Sequence, residues 1–287
     1  MSPPNMRVGV IGLGALGRPI AERLIKAGYR TAVHDVRGQP VQELAALGAQ
    51  ACTSPAAVAR DSDLIISLVS DAAQTDAVVS GAGGILETLR PGAIFATGST
   101  LGPAPVQRIA QQIAARGGHT LDIPISGGII AAREGTLSLM AGGDAAVLER
   151  ARPVLNVFAR DITHTGGIGS GQAAKLAHQL VFSVNVMALL EGLALGKAGG
   201  VAPEVMKQVL QQGLANSTVL QVWHDLGPRW KGMLEAAAPG APLPNMRKDL
   251  HLVLELAQAL GVELHIGDHA SRVADAGKAT GHDDPLL

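Results

Sequence analysis

The sequence predicts an α/β protein in two parts: a doubly wound parallel sheet over residues 1–164, then an all-helical region over residues 165–287. Three observations carry that prediction. Short, nearly all-apolar runs alternate with amphipathic segments through the first half. A glycine-rich turn closes the first of those runs. A second glycine turn, THTGGIGSG, precedes the longest helical pattern in the chain. With 287 residues the chain is long enough to split into two cores.

Taken in order, MRVGVIGLG is a strand ending in glycines, and RPIAERLIKAG is an amphipathic helix with a glycine stop. YRTAVHD, DLIISLV, GAIFATGS and HTLDIPIS continue the strand series, with PVQELAALG a second helix. Strands without polar alternation belong in a sheet covered on both faces, and helices between strands favour parallel pairing. A long helix is expected to start near Gly169 with QAAKLAHQLVFSVNVMALLEGLALGKAGG. Helices are expected again in PEVMKQVLQQG, STVLQVWHDL and DLHLVLELAQALG, with PGAPLPN at 239–245 a loop or cap and RKDL at 247–250 opening the last of them. The long helix is apolar on several sides, so a homodimer or homotetramer that buries it between subunits is expected.

Composition narrows the class. Hydrophobic residues make 47% of the chain and charged ones 16%, which excludes a largely disordered protein. Aromatics supply only 2%, so the core must be built from Ala, Leu, Val and Ile. Lys+Arg 23 against Asp+Glu 24 gives a formal net charge of -1, with no field to steer nucleic acid or an anionic membrane. One cysteine, Cys52, excludes an intrachain disulfide framework and a Cys-based zinc cluster. No metal is expected, because His265 and His269 lack a supporting HExxH pattern. The run Val8–Leu16 is short, interrupted by Gly9, Gly12 and Gly14, and flanked only by Arg7, so it is not read as a signal peptide. No stretch is read as reaching the roughly 18 apolar residues of a spanning helix, and a cytoplasmic location is expected.

Gly12-Leu13-Gly14-Ala15-Leu16-Gly17 is a GxGxxG turn directly after a strand and at the opening of a helix, which defines a Rossmann-type domain. Gly12 permits the tight turn, Gly14 the close approach of a pyrophosphate, and Gly17 close packing of helix on strand. Asp35 ends the next strand, where a carboxylate can hold the adenosine ribose diol. That favours NAD(H), while Arg37, beyond Val36, can reach a 2′-phosphate and keeps NADP(H) possible. Leu68, Val69 and Ser70 end another strand and are candidates for the adenine and pyrophosphate wall. Ser99 and Thr100 are candidates for the nicotinamide ribose.

Three segments hold the chemistry. In DIPISGG, Ser126, Gly127 and Gly128 follow a strand, where a hydroxyl and exposed backbone donors can hold a carboxylate. In GQAAKLAHQ, Lys175 stands on an otherwise apolar helix, with His178 and Gln179 after it. In RKDL, Lys248 and Asp249 are equally readable as a solvated pair. By patterning alone, a snorkelling role for Lys175 weighs as much as a catalytic one.

Five stretches in order, VGVIGLGALGRPIAERLIKAG, DIPISGGIIAAREGTLSLMAGG, GIGSGQAAKLAHQL, GLANSTVLQ and MRKDLHLVLELA, resemble the β-hydroxyacid dehydrogenase family, the 3-hydroxyisobutyrate dehydrogenase-like enzymes. Within it GLANSTVL and the KLAxQ pattern are most similar to the tartronate semialdehyde (2-hydroxy-3-oxopropionate) reductases. The resemblance implies hydride transfer between a nicotinamide cofactor and a small carboxylate-bearing substrate. It implies Lys175 as the catalytic lysine, Gln179 as the amide beside it, Ser126–Gly128 as the carboxylate loop and Lys248 near the nicotinamide. Three departures stand out: His178 where those reductases usually have asparagine, Thr97-Gly98 where an acid usually begins the pair, and Ala241 in place of an aromatic. An imine reductase on the same scaffold is one alternative, and Lys175 argues against it. A non-catalytic dinucleotide-binding reader is another, without an appended basic segment to support it.

Overall fold

The computed structural model describes residues 6–221 and 242–280. It divides into two compact units, residues 1–175 and 176–287. The first unit contains strands β1 (Val8–Ile11), β2 (Thr31–His34), β3 (Gln50–Ala51), β4 (Leu64–Ser67), β5 (Ile94–Thr97), β6 (His119–Asp122), β7 (Ile125–Ser126), β8 (Leu137–Gly143) and β9 (Ala159–Gly166). They form one sheet in the order β3-β2-β1-β4-β5-β6-β8-β7, with β9 paired to β8. The six strands from β3 to β6 are parallel. The all-parallel expectation is corrected at the other edge, where β8 runs antiparallel to β6 and β7 and parallel to β9.

The uninterrupted apolar runs have a direct cause. Successive strand side chains point to opposite faces, and here each face carries its own core. Leu64, Ile66, Ile94 and Ala96 enter one core, while Ile65 and Phe95 enter the other. Helices Gly17–Lys26 (α1), Gly38–Ala46 (α2), Pro55–Asp61 (α3), Ala72–Ser80 (α4), Pro103–Ala114 (α5), Gly128–Glu134 (α6) and Ala145–Leu155 (α7) surround the sheet. Several begin on a capping side chain. Ser54 accepts the N–H of Ala57, Asp71 that of Gln74, and Asp144 those of Ala146 and Val147.

The 29-residue helix Ser170–Ala198 (α8) starts in the first unit and continues into the second. It corrects one expectation: with mean hydropathy 1.5 over its most apolar window, it is long and apolar enough to cross a membrane by length and composition. The reason is a stretch rich in Ala, Leu, Val and Met from Leu176 onward, in which Glu191 and Lys197 are the only acidic or basic residues besides His178. Four polar groups, Gln172, Lys175, Gln179 and Ser183, are buried along with Leu176, Val186 and Leu189, while Val181 and Leu195 are exposed.

The second unit continues with Pro203–Gln212 (α9), a short helical stretch at 218–221, Pro242–Leu260 (α10) and His265–Thr280 (α11). Among the described residues it contains no strand. Its core joins Met246 and Leu250 of α10 and Ala270 of α11 to Leu180, Val184 and Met187 of α8. Two boundaries differ from expectation. Residues 242–245 of the expected loop are helical, and Lys248 lies inside α10 rather than at its start. Prolines are tolerated in a first helical turn, whose N–H groups have no intrahelical partner. Ala241 and the tail of the STVLQVWHDL helix lie outside the described residues.

Candidate functional site

The turn after β1 is shaped by its glycines. Gly12 has φ +88, and a Cβ there would stand 2.7 Å from the Leu68 carbonyl oxygen. A Cβ on Gly17 would overlap the Gly12 carbonyl, so only glycine lets α1 close onto the strand. Gly14 is different: a Cβ there would meet nothing within 4 Å, leaving the space a pyrophosphate would enter. No side chain caps α1, whose first turn begins after Leu16. α2, α5 and α6 also lack a side-chain cap, but the start of α1 adjoins the open space over Gly14, where its N–H groups and dipole would favour an anion.

Asp35 closes the second side of this cradle. Its Oδ2 accepts the Leu13 N–H at 2.7 Å, and its Oδ1 accepts the Arg37 N–H at 2.8 Å. The Arg37 guanidinium donates to both oxygens, at 2.9 and 3.1 Å. Burial disfavours the charged carboxylate, but the hydrogen bonds from the Arg37 side chain and backbone and from Leu13 outweigh it and hold Asp35 below the usual range. Val36, between them, is almost wholly exposed. Leu68 covers Gly12, and Ser70 donates its N–H to Gln74 Oε1 at 3.1 Å. The Ser99 hydroxyl donates to the Val69 carbonyl at 2.6 Å, so that side chain is already engaged. Thr100 follows it, half-buried. The residues present fit a nicotinamide dinucleotide: glycines hold the turn open, an uncapped helix end meets it, and a carboxylate stands where a ribose diol would bind.

Ser126 ends β7 and is half-buried. Gly127 (φ +120) and Gly128 (φ +68) both take left-handed backbone and are exposed, with open space at Gly128. Lys175 is buried on the second turn of α8.

Within the second unit Gln179, His178, Lys248 and Asp249 come together. Gln179 Nε2 donates to Asp249 Oδ2 at 2.6 Å, and His178 Nδ1 lies 3.1 Å from Gln179 Oε1. Lys248 Nζ stands 3.2 Å from Asp249 Oδ1. Asp249 is buried, which the sequence reading, treating it as half of a solvated pair, did not foresee. Its position four residues before Val253, on the apolar side of α10, was the available signal.

Two further buried polar groups escaped sequence reasoning. Asp122 ends β6 and Gln172 opens α8, and both are fully buried. Burial pushes the Asp122 carboxyl up, against backbone hydrogen bonds from Gly169 and Gln172 that favour its charge. The signal for Asp122 was a long helix that begins without an acidic residue in its first turn.

A largely parallel sheet, a glycine turn after its first strand and a strand-end carboxylate define a dinucleotide-binding domain of the Rossmann type. The family model for the NAD binding domain of 6-phosphogluconate dehydrogenase matches residues 7–166, and that for the NAD-binding domain of NADP-dependent 3-hydroxyisobutyrate dehydrogenase matches residues 169–285. The chain is 36% identical to 2-hydroxy-3-oxopropionate reductase of Escherichia coli, over 90% of this chain and 87% of that one. It is 33% identical to 3-hydroxyisobutyrate dehydrogenase of Pseudomonas aeruginosa, over 91% and 88%. The solved structure of Mycobacterium tuberculosis 3-hydroxyisobutyrate dehydrogenase with L-serine superposes with a TM-score of 0.84 at 27% identity, covering 97% and 95%. The chain belongs to the 3-hydroxyisobutyrate dehydrogenase-like family of NAD(P)-dependent hydroxyacid dehydrogenases.

Proposed function

We propose that the protein is a reductase interconverting a small β-hydroxy acid and its semialdehyde, with tartronate semialdehyde the preferred substrate and NADH the preferred cofactor. The observation that carries this reading is Lys175, a buried lysine on an apolar helix. The bound dinucleotide supplies the hydride. Lys175, as the ammonium, protonates the alkoxide oxygen that develops on the substrate, and in the reverse direction takes the hydroxyl proton. Ser126 and the N–H groups of Gly127 and Gly128 hold the substrate carboxylate. Gln179, anchored by Asp249, orients the reacting oxygen, and His178 sets the rotamer of Gln179 through the 3.1 Å contact. Lys248 adds positive charge on the nicotinamide side. Asp35 selects for a free 2′-hydroxyl.

The similarity to the E. coli reductase at 36% identity supports tartronate semialdehyde as the first substrate to test. The exposed apolar residues of α8, among them Val181 and Leu195, support a dimer or tetramer. The test is a steady-state panel with NADH and NADPH over tartronate, methylmalonate and succinic semialdehydes, glycerate, 3-hydroxyisobutyrate, serine and threonine. Lys175→Met should lower kcat by roughly 100-fold or more, the range of general acid–base catalysis, with dinucleotide binding little changed. Ser126→Ala should raise KM instead. Near-normal turnover in K175M would sink the proton-transfer role.

A further inference from the structure

Asp122 and Gln172 have no part in the chemistry just described, yet both are fully buried in the first unit. Asp122 Oδ1 accepts the Gly169 N–H at 2.8 Å, and Oδ2 accepts the Gln172 N–H at 2.8 Å. These donors belong to the start of α8, where N–H groups have no partner within the helix and the helix dipole favours a negative charge. The Gln172 side chain turns to the loop after β5. Its Oε1 accepts the N–H groups of Leu101 at 2.8 Å and Gly102 at 3.2 Å, and its Nε2 donates to the Ser99 carbonyl at 2.9 Å. One continuous set of hydrogen bonds thus runs from the end of β6, through the first turn of α8, to the backbone at Ser99–Gly102.

Packing leaves no slack in this joint. A Cβ on Gly171 would overlap the Met140 carbonyl and stand 2.7 Å from Asp122 Oδ2. A Cβ on Gly142 would overlap Asp122 Oδ1 and stand 2.7 Å from the Gly171 nitrogen. Lys175 follows Gln172 by three positions, so the two are neighbours on the helix surface.

We propose that Asp122 and Gln172 are positioning residues that fix the height and rotation of the first turns of α8, and with them the place of Lys175 relative to the Ser99–Gly102 backbone. The proposal rests on the reading of Lys175 as the proton donor. It acts through geometry: displacement of a reacting group by about 1 Å can cost on the order of 100-fold in rate.

The experiment is a double-mutant cycle on the full chain. Gln172→Leu keeps most of the buried volume and removes all three side-chain bonds to the loop. It should lower kcat on the order of 30-fold while the NADH Kd, read by fluorescence titration, changes less than about 3-fold. Because the effect passes through Lys175, the Q172L/K175M double variant should be no slower than K175M alone. Gln172→Glu keeps the acceptor facing Leu101 and Gly102 but sets an oxygen against the Ser99 carbonyl, so it should lower kcat in the same direction. If Q172L does not fold, Q172E carries the cycle. Amide hydrogen exchange adds a readout without turnover: Leu101 and Gly102 should be protected in the parent and released in the variant. Normal kcat in Q172L, multiplied losses in the double variant, or fast exchange at Leu101 and Gly102 in the parent would each overturn the positioning role. Normal turnover in K175M overturns the proton-donor reading itself, whereas an inactive K175M beside a fully active Q172L removes only the positioning.

Discussion

Two glycine turns in this protein look alike in sequence and serve opposite ends. Gly12–Gly17 joins β1 to α1, and Gly166–Gly171 joins β9 to α8. Each follows a strand and opens a helix. At the first, no side chain caps the helix, and the space over Gly14 is open. At the second, the Asp122 carboxylate takes the N–H groups of Gly169 and Gln172, and Gly171 is pressed against Met140 and Asp122. Glycine spacing therefore sets the backbone path. Whether the helix end serves a ligand or the fold depends on whether an internal carboxylate already occupies it.

Alanine at one glycine of each turn should separate the two roles. Gly171→Ala puts a methyl into backbone and a buried carboxylate, and should cost about 3 kcal/mol and lower Tm by roughly 10 °C. Gly14→Ala meets nothing within the chain, so its Tm should move by less than about 2 °C, while the NADH Kd rises about tenfold, or about 1.4 kcal/mol. Calorimetry and fluorescence titration on both variants check this. A destabilised Gly14→Ala with intact binding would reverse the assignment of the two turns.

The two carboxylates should also respond to pH with opposite sign. Asp35 is held below its usual range, so the stability it adds is present above that range and is lost as pH falls through its folded value. Parent and Asp35→Asn should differ by about 1–2 kcal/mol at neutral pH and converge in acid. Asp122 is pushed up by burial, so its ionisation disfavours the fold at neutral pH and the penalty is relieved on acidification. The advantage of the parent over Asp122→Asn should therefore grow as pH falls. Parent-minus-variant Tm differences that change in the same direction with pH for both variants would contradict the contrast.

Smaller effects refine the ligand-facing turn. The Arg37 guanidinium is paired to Asp35 at 2.9 Å and largely exposed, so it can offer positive charge to an incoming 2′-phosphate. Arg37→Ala should raise the NADH to NADPH ratio of kcat/KM about tenfold, or about 1.4 kcal/mol. An unchanged ratio would remove Arg37 from cofactor choice. Least affected should be His178→Asn, with a change of roughly threefold in kcat/KM toward tartronate semialdehyde, in line with loss of a single neutral hydrogen bond. A substrate preference and pH dependence unchanged from the parent, with only Tm altered, would make His178 a structural residue.

The contrast between the turns also explains what was legible in the sequence. β1, β4 and β5 were readable because both faces are buried and their runs are nearly all apolar, as in Leu64–Ser67, whereas β6, HTLD, is apolar and buried only toward its end. β9, ARDITHTG, is mostly exposed and polar, and β8 has a mixed pattern, so neither carried that signal. The nucleotide turn could be read because all its parts lie within one strand–turn–helix–strand unit. Asp122 and Gln172 could not, because their partnership spans 50 positions and depends on β6 lying beside β8. Burial of Asp249 was likewise a tertiary fact.

The uncapped start of α1 has a consequence for the life of the protein in a cell. An anion that binds at an uncapped helix end of the folded protein alone adds to the stability of that state, so the dinucleotide is also part of the folding equilibrium. At a free concentration 100 times its Kd, a ligand specific for the folded state adds about 2.7 kcal/mol. Abundance of the protein should then track the supply of its cofactor, with starved cells degrading the empty form first.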